Sequence, residues 1–114
     1  MKIEKFEDLI CWQKSRELTL EVYSIFRKST DFSFRDQIQR AVISISNNIA
    51  EGFERKGNKE FGHFLSIAKG SCGEVRSMLY IALDLKYISH NQFNDLYERS
   101  VQISKIVSAL SRSL

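Results

Sequence analysis

The sequence predicts an all-α protein, an antiparallel up-down-up-down four-helix bundle formed by a single domain over residues 1–114. Three observations predict this fold. The chain contains no proline, and long helices are the structure that most strongly excludes proline from its interior. Apolar residues recur at steps of three and four, which is the spacing of one buried helix face. Only three short segments rich in turn and capping residues interrupt this spacing.

The composition is that of a globular domain. Hydrophobic residues make up 43% of the chain and charged residues 27%, which are ordinary globular proportions. No apolar run approaches the roughly 20 residues that cross a bilayer, and the first ten residues carry acids where a signal peptide would be apolar. We therefore expect a cytoplasmic protein without a membrane segment. In that reducing compartment, Cys11 and Cys72 are expected to be buried free thiols.

The three breaks define the order of the helices. Lys28–Ser33 separates helix one from helix two, and Gly57-Asn58, a C′ glycine followed by an N-cap residue, separates helix two from helix three. Ser89 and Gln92 have capping-box spacing and begin helix four. The helices are expected to run for about 21 to 29 residues, or roughly 30 Å or more each. One apolar stripe on each helix is expected to form the core: Leu9, Cys11, Leu18, Val22, Ile25 and Phe26; then Phe34, Ile38, Val42, Ile45, Ile49 and Phe53; then Phe61, Leu65, Ala68, Cys72, Val75, Leu79 and Ala82; then Phe93, Leu96, Ser100, Ile103, Val107 and Leu110.

Two helices carry more apolar residues than one core requires. Helix three has a second stripe that spans several turns, and helix two has two apolar residues roughly opposite its core face. A surplus of this extent favours a subunit interface, whereas scattered exposed hydrophobic residues would be ordinary. The second stripe of helix three contains Ile67, Ser71, Met78, Ile81, Leu85 and Ile88. The residues predicted to form the interface are Ile43, Ala50, Ile67, Met78, Ile81 and Leu85.

A polar stripe runs along the flank of helix two for about four turns at 100° per residue. It has a structural interpretation, in which its members satisfy one another and fix helix register or subunit pairing. It also has a functional one, in which it lines a groove where arginines meet phosphate or carboxylate. Asn47 lies nearly opposite Asn48 and cannot share its role. The stripe consists of Gln37, Arg40, Ser44, Asn48, Glu51 and Arg55.

Glycines interrupt helices two and three on their buried sides. Gly52 lies on the core side of helix two, where the missing side chain would let a neighbouring helix approach closely. Gly70, Ser71 and Gly73 come level with residues 42–45 when the chain folds back, which predicts a tight helix crossing there.

One set of motifs covers almost the whole chain, from about Phe6 to Leu110. Its elements are Phe6-x-x-Leu9-x-x-Trp12, Gln39-Arg40-Ala41, Ser44-Ile45, Asn48-Ile49-Ala50-Glu51-Gly52, Glu60-Phe61 and Ala68-x-Gly70-Ser71-x-x-Glu74. This set resembles the four-helix-bundle proteins encoded in 23S ribosomal RNA intervening sequences. The resemblance implies a bundle that assembles into a ring, typically a pentamer, with an RNA-associated role inferred from genomic location.

One loop departs from the pattern of that family. The family usually has a proline and an acidic pair before helix two, whereas residues 30–35 here read TDFSFR. The bundle does not depend on this loop, but a ligand contact made there in the family is not carried over to this chain.

The motifs of catalysis and metal binding are missing or incomplete. Glu60-x-x-His63 has the spacing of one di-iron ligand pair, but that site needs two such motifs and two further glutamates. An acid in the first turn of a helix is explained by the helix dipole. No phosphate loop, Ser-His-Asp order or paired acidic motif occurs. We therefore predict no enzyme activity, no metal, no cofactor and no small-molecule substrate.

The remaining candidates are cations and amides that could contact nucleic acid. Cations at the turn between helices two and three would form a rim if copies assembled; a solvated loop with ordinary charges is the simpler interpretation. The interpretation is a homo-oligomeric RNA-associated accessory protein; the alternative is a scaffold that binds a peptide or partner protein in the polar stripe. The nucleic-acid-binding candidates are Arg40, Asn47, Asn48, Arg55, Lys56 and Lys59.

Overall fold

The computed structural model describes residues 2–114 as four long helices preceded by one short 3-10 turn. The turn covers Phe6–Asp8, and the helices are α1 (Ile10–Phe26), α2 (Phe32–Glu54), α3 (Asn58–Asp84) and α4 (His90–Ser113). Within these residues each helix packs against two neighbours in the order α1–α2–α3–α4–α1, and the diagonal pairs stay apart. The short loops reverse the chain each time, in a body of 43 × 22 × 19 Å. The predicted antiparallel four-helix bundle is confirmed.

The predicted stripes form the core. All seven predicted residues of α3 are buried, and Ile38, Val42, Ile45 and Ile49 of α2 are completely so. The predicted core residues near the ends of the helices are only half-buried and pack against the edge of the core. These edge residues are Ile25, Phe34, Phe53, Phe93 and Leu110.

The helix ends depart from the prediction in three places, the first being α1, which at 17 residues is shorter than the expected length of about 21 to 29. Helix α2 begins at Phe32, inside the predicted break, because the Asp31 carboxylate caps it by accepting a hydrogen bond from the Phe34 N–H at 3.2 Å. Asn58, the predicted cap of α3, lies inside that helix, and Gly57, with φ of 95°, takes the capping position without a side chain. The capping box of Ser89 and Gln92 is present.

The second stripe of α3 is only partly surplus. Ser71, Met78 and Ile88 are buried within the protomer, so the assignment of Met78 to a subunit interface needs correction. The reason is that α3 packs between α2 and α4 and therefore buries a wider arc than one stripe. Ile67, Ile81 and Leu85 are 40%, 46% and 50% exposed, whereas Ile43 and Ala50 on α2 are half-buried.

Only one of the three predicted packing glycines, Gly52, lies against a neighbouring helix. A Cβ added at Gly52 would lie 2.5 Å from the Phe64 Cβ and 3.1 Å from the Phe61 ring, which confirms the close approach of α3 to α2. A Cβ at Gly70 would meet nothing within 4 Å, and one at Gly73 only the end of Arg76 at 3.9 Å. The predicted tight crossing at these two positions is wrong, because Ser71 alone reaches α2.

Both cysteines are free and buried, as predicted. Burial raises the pKa of Cys11 to about 11 and also raises that of Cys72, although hydroxyl hydrogen bonds and nearby Arg76 act against the increase. A thiol is nucleophilic only as thiolate, so both side chains act here as small apolar groups.

Candidate functional site

The centre of the polar stripe on α2 is bonded within the protomer. The Asn48 side-chain amide donates to the Ser44 carbonyl oxygen at 2.8 Å and to the Ser44 Oγ at 2.9 Å. The Ser71 hydroxyl of α3 donates to the same Ser44 Oγ at 2.9 Å. Because these groups satisfy one another across the α2–α3 contact, they favour the structural interpretation for Ser44 and Asn48.

The C-terminal end of the stripe forms a surface ion pair. Arg55 and Glu51 meet at 2.8 Å with an i, i+4 spacing, and this hydrogen bond to Glu51 raises the pKa of Arg55. The guanidinium also lies 5.1 Å from the centre of the Phe64 ring. Arg55 is therefore already engaged, although exposed ion pairs of this kind contribute little to stability.

The other α2 candidates lie apart. Gln37, Arg40 and Asn47 are exposed, and the hydrogen bonds and ion pairs within residues 2–114 include none from their side chains. Arg40 precedes Arg55 by about 22 Å of helix axis at 1.5 Å per residue. The structure does not bring these residues into one site.

The turn between α2 and α3 does bring cations together, but acids accompany them. Arg55, Lys56 and Lys59 are all exposed. The same segment contains three acids, Glu51, Glu54 and Glu60, so three positive charges face three negative ones. Attraction to a polyanion depends on net local charge, which is zero over residues 51–60.

A second surface lies between α3 and α4. One cavity there has a volume of about 440 Å³ and an adjoining one about 380 Å³. Lys69, Ser108 and Arg112 line both, so the two form one continuous depression, which we call the α3–α4 groove. Its other polar lining residues are Ser66, Ser104, Lys105 and Ser111.

Short side chains on α4 create this groove. Serines occur at positions 100, 104, 108 and 111, a spacing of three and four that keeps them on one side of the helix. Next to the groove along the same helix contact, Arg76 Nη1 donates to the Ser100 Oγ at 3.1 Å and the Ser104 Oγ at 3.0 Å. The Ser100 hydroxyl donates in turn to the Cys72 carbonyl at 3.2 Å. Ser104, Ser108 and Ser111 line the groove, whereas Ser100 is fully buried beside Arg76.

The electrostatics of the groove are one-sided. Segments 61–73 of α3 and 99–114 of α4 contain no Asp or Glu. The ion pairs found among residues 2–114 are Arg35–Asp36, Glu51–Arg55 and Asp95–Arg99, and none involves a cation of the groove. Lys69, Lys105 and Arg112 therefore present uncompensated charge next to hydroxyl donors, which is the chemistry that binds phosphate oxygens.

Aromatic side chains continue the same seam beyond Arg76. The Tyr80 ring lies 4.9 Å from that of Phe93 and 5.5 Å from that of Tyr97, and these two α4 rings stack at 5.4 Å. Phe93 and Tyr97 are half-buried, whereas Tyr80 is 51% exposed. The neighbouring Tyr97 hydroxyl raises the pKa of Tyr80 above its ordinary value, so this ring is neutral at physiological pH.

Sequence reasoning missed the groove because its residues come from two helices. The sequence signals that could have indicated it are the serine spacing on α4 and the acid-free segments 61–73 and 99–114. No metal-binding group of three or more His, Cys, Asp or Glu residues occurs within the described chain. None of its helices combines the length and the apolar character that crossing a bilayer requires.

These observations define a small helical bundle with one cationic, serine-lined seam. The sequence profile of 23S rRNA-intervening sequence proteins matches residues 7–109, and the chain belongs to this family. It is similar in structure to a protein of unknown function from the S23 ribosomal protein family of Bacteroides thetaiotaomicron, with a TM-score of 0.84 and 24% sequence identity. That match covers 90% of this chain and 98% of the other. No curated protein sequence matches the chain significantly.

Proposed function

We propose that the protein is a non-enzymatic, homo-oligomeric accessory protein of the cytoplasm that binds nucleic acid through the phosphate backbone. The observation that carries this proposal is the α3–α4 groove, where three cations without carboxylate partners surround a row of serine hydroxyls. Lysine, arginine and serine side chains are common donors to phosphate oxygens. The membership in a family named for an rRNA intervening sequence makes RNA the first nucleic acid to test.

Self-association would strengthen this binding. Ile67, Ile81 and Leu85 leave apolar side chains exposed along α3, and exposed apolar surface of this kind favours contact with another copy. We propose a pentameric ring, in which five copies of a +3 chain would carry a formal charge of +15. Since each neutralised phosphate releases counterions, binding should weaken steeply with salt.

The test is a salt titration of a fluorescein-labelled, mixed-sequence RNA oligonucleotide, read by fluorescence anisotropy. Log affinity is expected to fall linearly with log salt concentration, by about 0.7 per phosphate contact for a single strand. A groove variant, Lys69→Ala with Lys105→Ala and Arg112→Ala, should weaken binding and reduce this slope by about 2, since it removes three contacts.

The chain offers a charge-matched control. A turn variant, Arg55→Ala with Lys56→Ala and Lys59→Ala, loses the same formal charge at the α2–α3 turn, where three acids already balance it. We expect this variant to retain most of the affinity and the original slope. Equal losses in both variants would refute the groove as the contact surface, and absence of binding at the lowest salt would refute the function. Salt-independent capture of a peptide would favour the scaffold alternative.

A further inference from the structure

The aromatic cluster on the α3–α4 seam leaves about half of the Tyr80 side chain exposed. Tyr80 packs edge-on or tilted against Phe93 and Tyr97, with interplanar angles of 55° and 73°, while about half of its surface stays exposed. The two α4 rings hold it laterally. These two ring contacts restrain the Tyr80 ring and still leave part of it accessible.

The cluster and the groove lie on one side of the bundle. On α3, Lys69, Arg76 and Tyr80 follow at steps of seven and four, which return to the same helix face. On α4, Tyr97, Ser104 and Ser108 do the same. Eleven residues of helix separate Lys69 from Tyr80, or about 16 Å. A flexible strand of a few nucleotides can bridge that distance.

We propose that this seam binds single-stranded RNA, with phosphates in the α3–α4 groove and one unpaired base stacked on Tyr80. This inference rests on the proposed function and adds the strand class and the stacking residue. Aromatic platforms beside cationic grooves are how proteins bind single strands without sequence preference. A duplex hides its base faces in the stack, so it can use the groove but not the platform.

Charge favours a nucleic acid over a second protein copy as the occupant of the seam. An isologous contact between two copies would bring the same cations together, namely Lys69, Lys105 and Arg112, with no acid in segments 61–73 or 99–114 to offset them. In the heterologous contacts of the proposed ring, the exposed apolar residues Ile67, Ile81 and Leu85 are the ones offered to the neighbouring copy. A polyanion is complementary to the groove end of the seam, which lies within these acid-free segments. The Tyr80 end has Asp84, Asp95 and Glu98 close by in the sequence, so it suits an uncharged base and not a phosphate. The ring of Tyr80 is then left for a base.

The experiment compares one labelled RNA as a single strand and annealed to its complement, with three full-length variants. Tyr80→Leu keeps an apolar side chain but removes the π face, and should weaken single-strand binding about 5- to 150-fold, because stacking on one aromatic contributes about 1–3 kcal/mol. Tyr80→Phe keeps the ring and should restore wild-type affinity.

The control is Tyr87→Leu. Tyr87 lies in the turn after α3, where its hydroxyl donates to Asp31, and its replacement should leave affinity unchanged. None of the three should alter duplex binding.

The outcomes separate this inference from the proposed function. No binding of either RNA form at low salt overturns both. Equal binding of both forms with no effect of Tyr80→Leu overturns the stacking site while the groove stands. A change of oligomeric mass in Tyr80→Leu, measured by light scattering, would assign Tyr80 to a subunit contact and overturn the inference. Photocrosslinking of 4-thiouridine RNA to Tyr80 would support it.

Discussion

Gly52 of α2 lies directly against Phe64 of α3, so closely that a Cβ at Gly52 would stand 2.5 Å from the Phe64 Cβ. Both atoms are fixed by backbone, so neither can move away without separating the helices. The contact sets the distance between α2 and α3, the pair of helices that also shares the bond between Ser44 and Ser71. Glycine is needed here for space.

We therefore predict that Gly52→Ala lowers the free energy of unfolding by about 1–3 kcal/mol, the usual effect of overpacking. The loss should exceed the gain in helix propensity of about 1 kcal/mol that alanine otherwise brings. Urea unfolding followed by circular dichroism measures the difference.

Gly70→Ala is the matched control for this prediction. Gly70 lies in the interior of α3, and a methyl group added there would meet nothing within 4 Å, so alanine should stabilise the protein by up to about 1 kcal/mol. Opposite signs for the two glycines are the expected result. Stabilisation by both would contradict the packing role of Gly52.

The end of α3 contains a lysine in a conformation that suits glycine. Lys86 has φ of 63°, and its N–H donates to the Leu83 carbonyl at 3.0 Å while the Tyr87 N–H donates to the Ala82 carbonyl at 2.8 Å. This pair of bonds is a Schellman motif, which usually has glycine in the left-handed position. Lys86→Gly should raise the free energy of unfolding by about 0.5–1 kcal/mol. The measurement is a higher midpoint of urea unfolding.

Lys86→Ala separates backbone conformation from loss of the lysine side chain. Alanine keeps the Cβ and its steric cost, so stability should stay close to wild type. If alanine stabilises as much as glycine, the side chain and not the left-handed backbone is responsible, and the prediction fails.

Much of the fold could be predicted from the sequence because apolar residues recur at helical spacing within each segment. For example, Leu65, Cys72 and Leu79 lie seven residues apart, and all three are buried. Periodicity could not show how wide an arc α3 buries, which is why it assigns Met78 to a subunit interface and not to the core. The polar pair Ser44 and Asn48 was visible because it lies on one helix.

The groove was invisible for the opposite reason. Lys69 and Ser108 are far apart in the chain, and only the antiparallel register of α3 against α4 brings them to one cavity. Tyr80 meets Phe93 and Tyr97 in the same way. A motif search finds cations and aromatic residues together only when they alternate within one segment of the sequence. The cations and aromatic residues of this seam come from two separate helices, α3 and α4.

The buried thiol of Cys11 predicts a pH dependence. Its pKa in the folded chain is about 11, against 9.0 for the free group, because burial disfavours the thiolate. A raised pKa means that the contribution of the thiol to stability is fully present below about pH 9 and is lost as the pH rises towards 11. Unfolding free energies measured across this interval should therefore decline with pH.

Cys11→Ala tests whether that decline comes from the thiol. Alanine cannot ionise, so its unfolding free energy should fall less steeply between pH 9 and 11. Other groups with raised pKa values, Cys72 and Tyr87 among them, remain in both proteins and cancel in the comparison. Parallel pH profiles would show that Cys11 does not titrate as described.

Ile81 tests the proposed assembly. It is 46% exposed on α3 beside Leu85, and in an oligomer its side chain would be buried between copies. Ile81→Asp should then dissociate the protein to the 13.3 kDa chain, since burying an unpaired carboxylate at an interface costs several kcal/mol.

Leu20→Asp is the control: Leu20 is 62% exposed on α1, and its change should leave the mass in light scattering unaltered. A wild-type protein that is already monomeric at working concentrations would refute the oligomer, and an unchanged mass in Ile81→Asp would move the interface elsewhere.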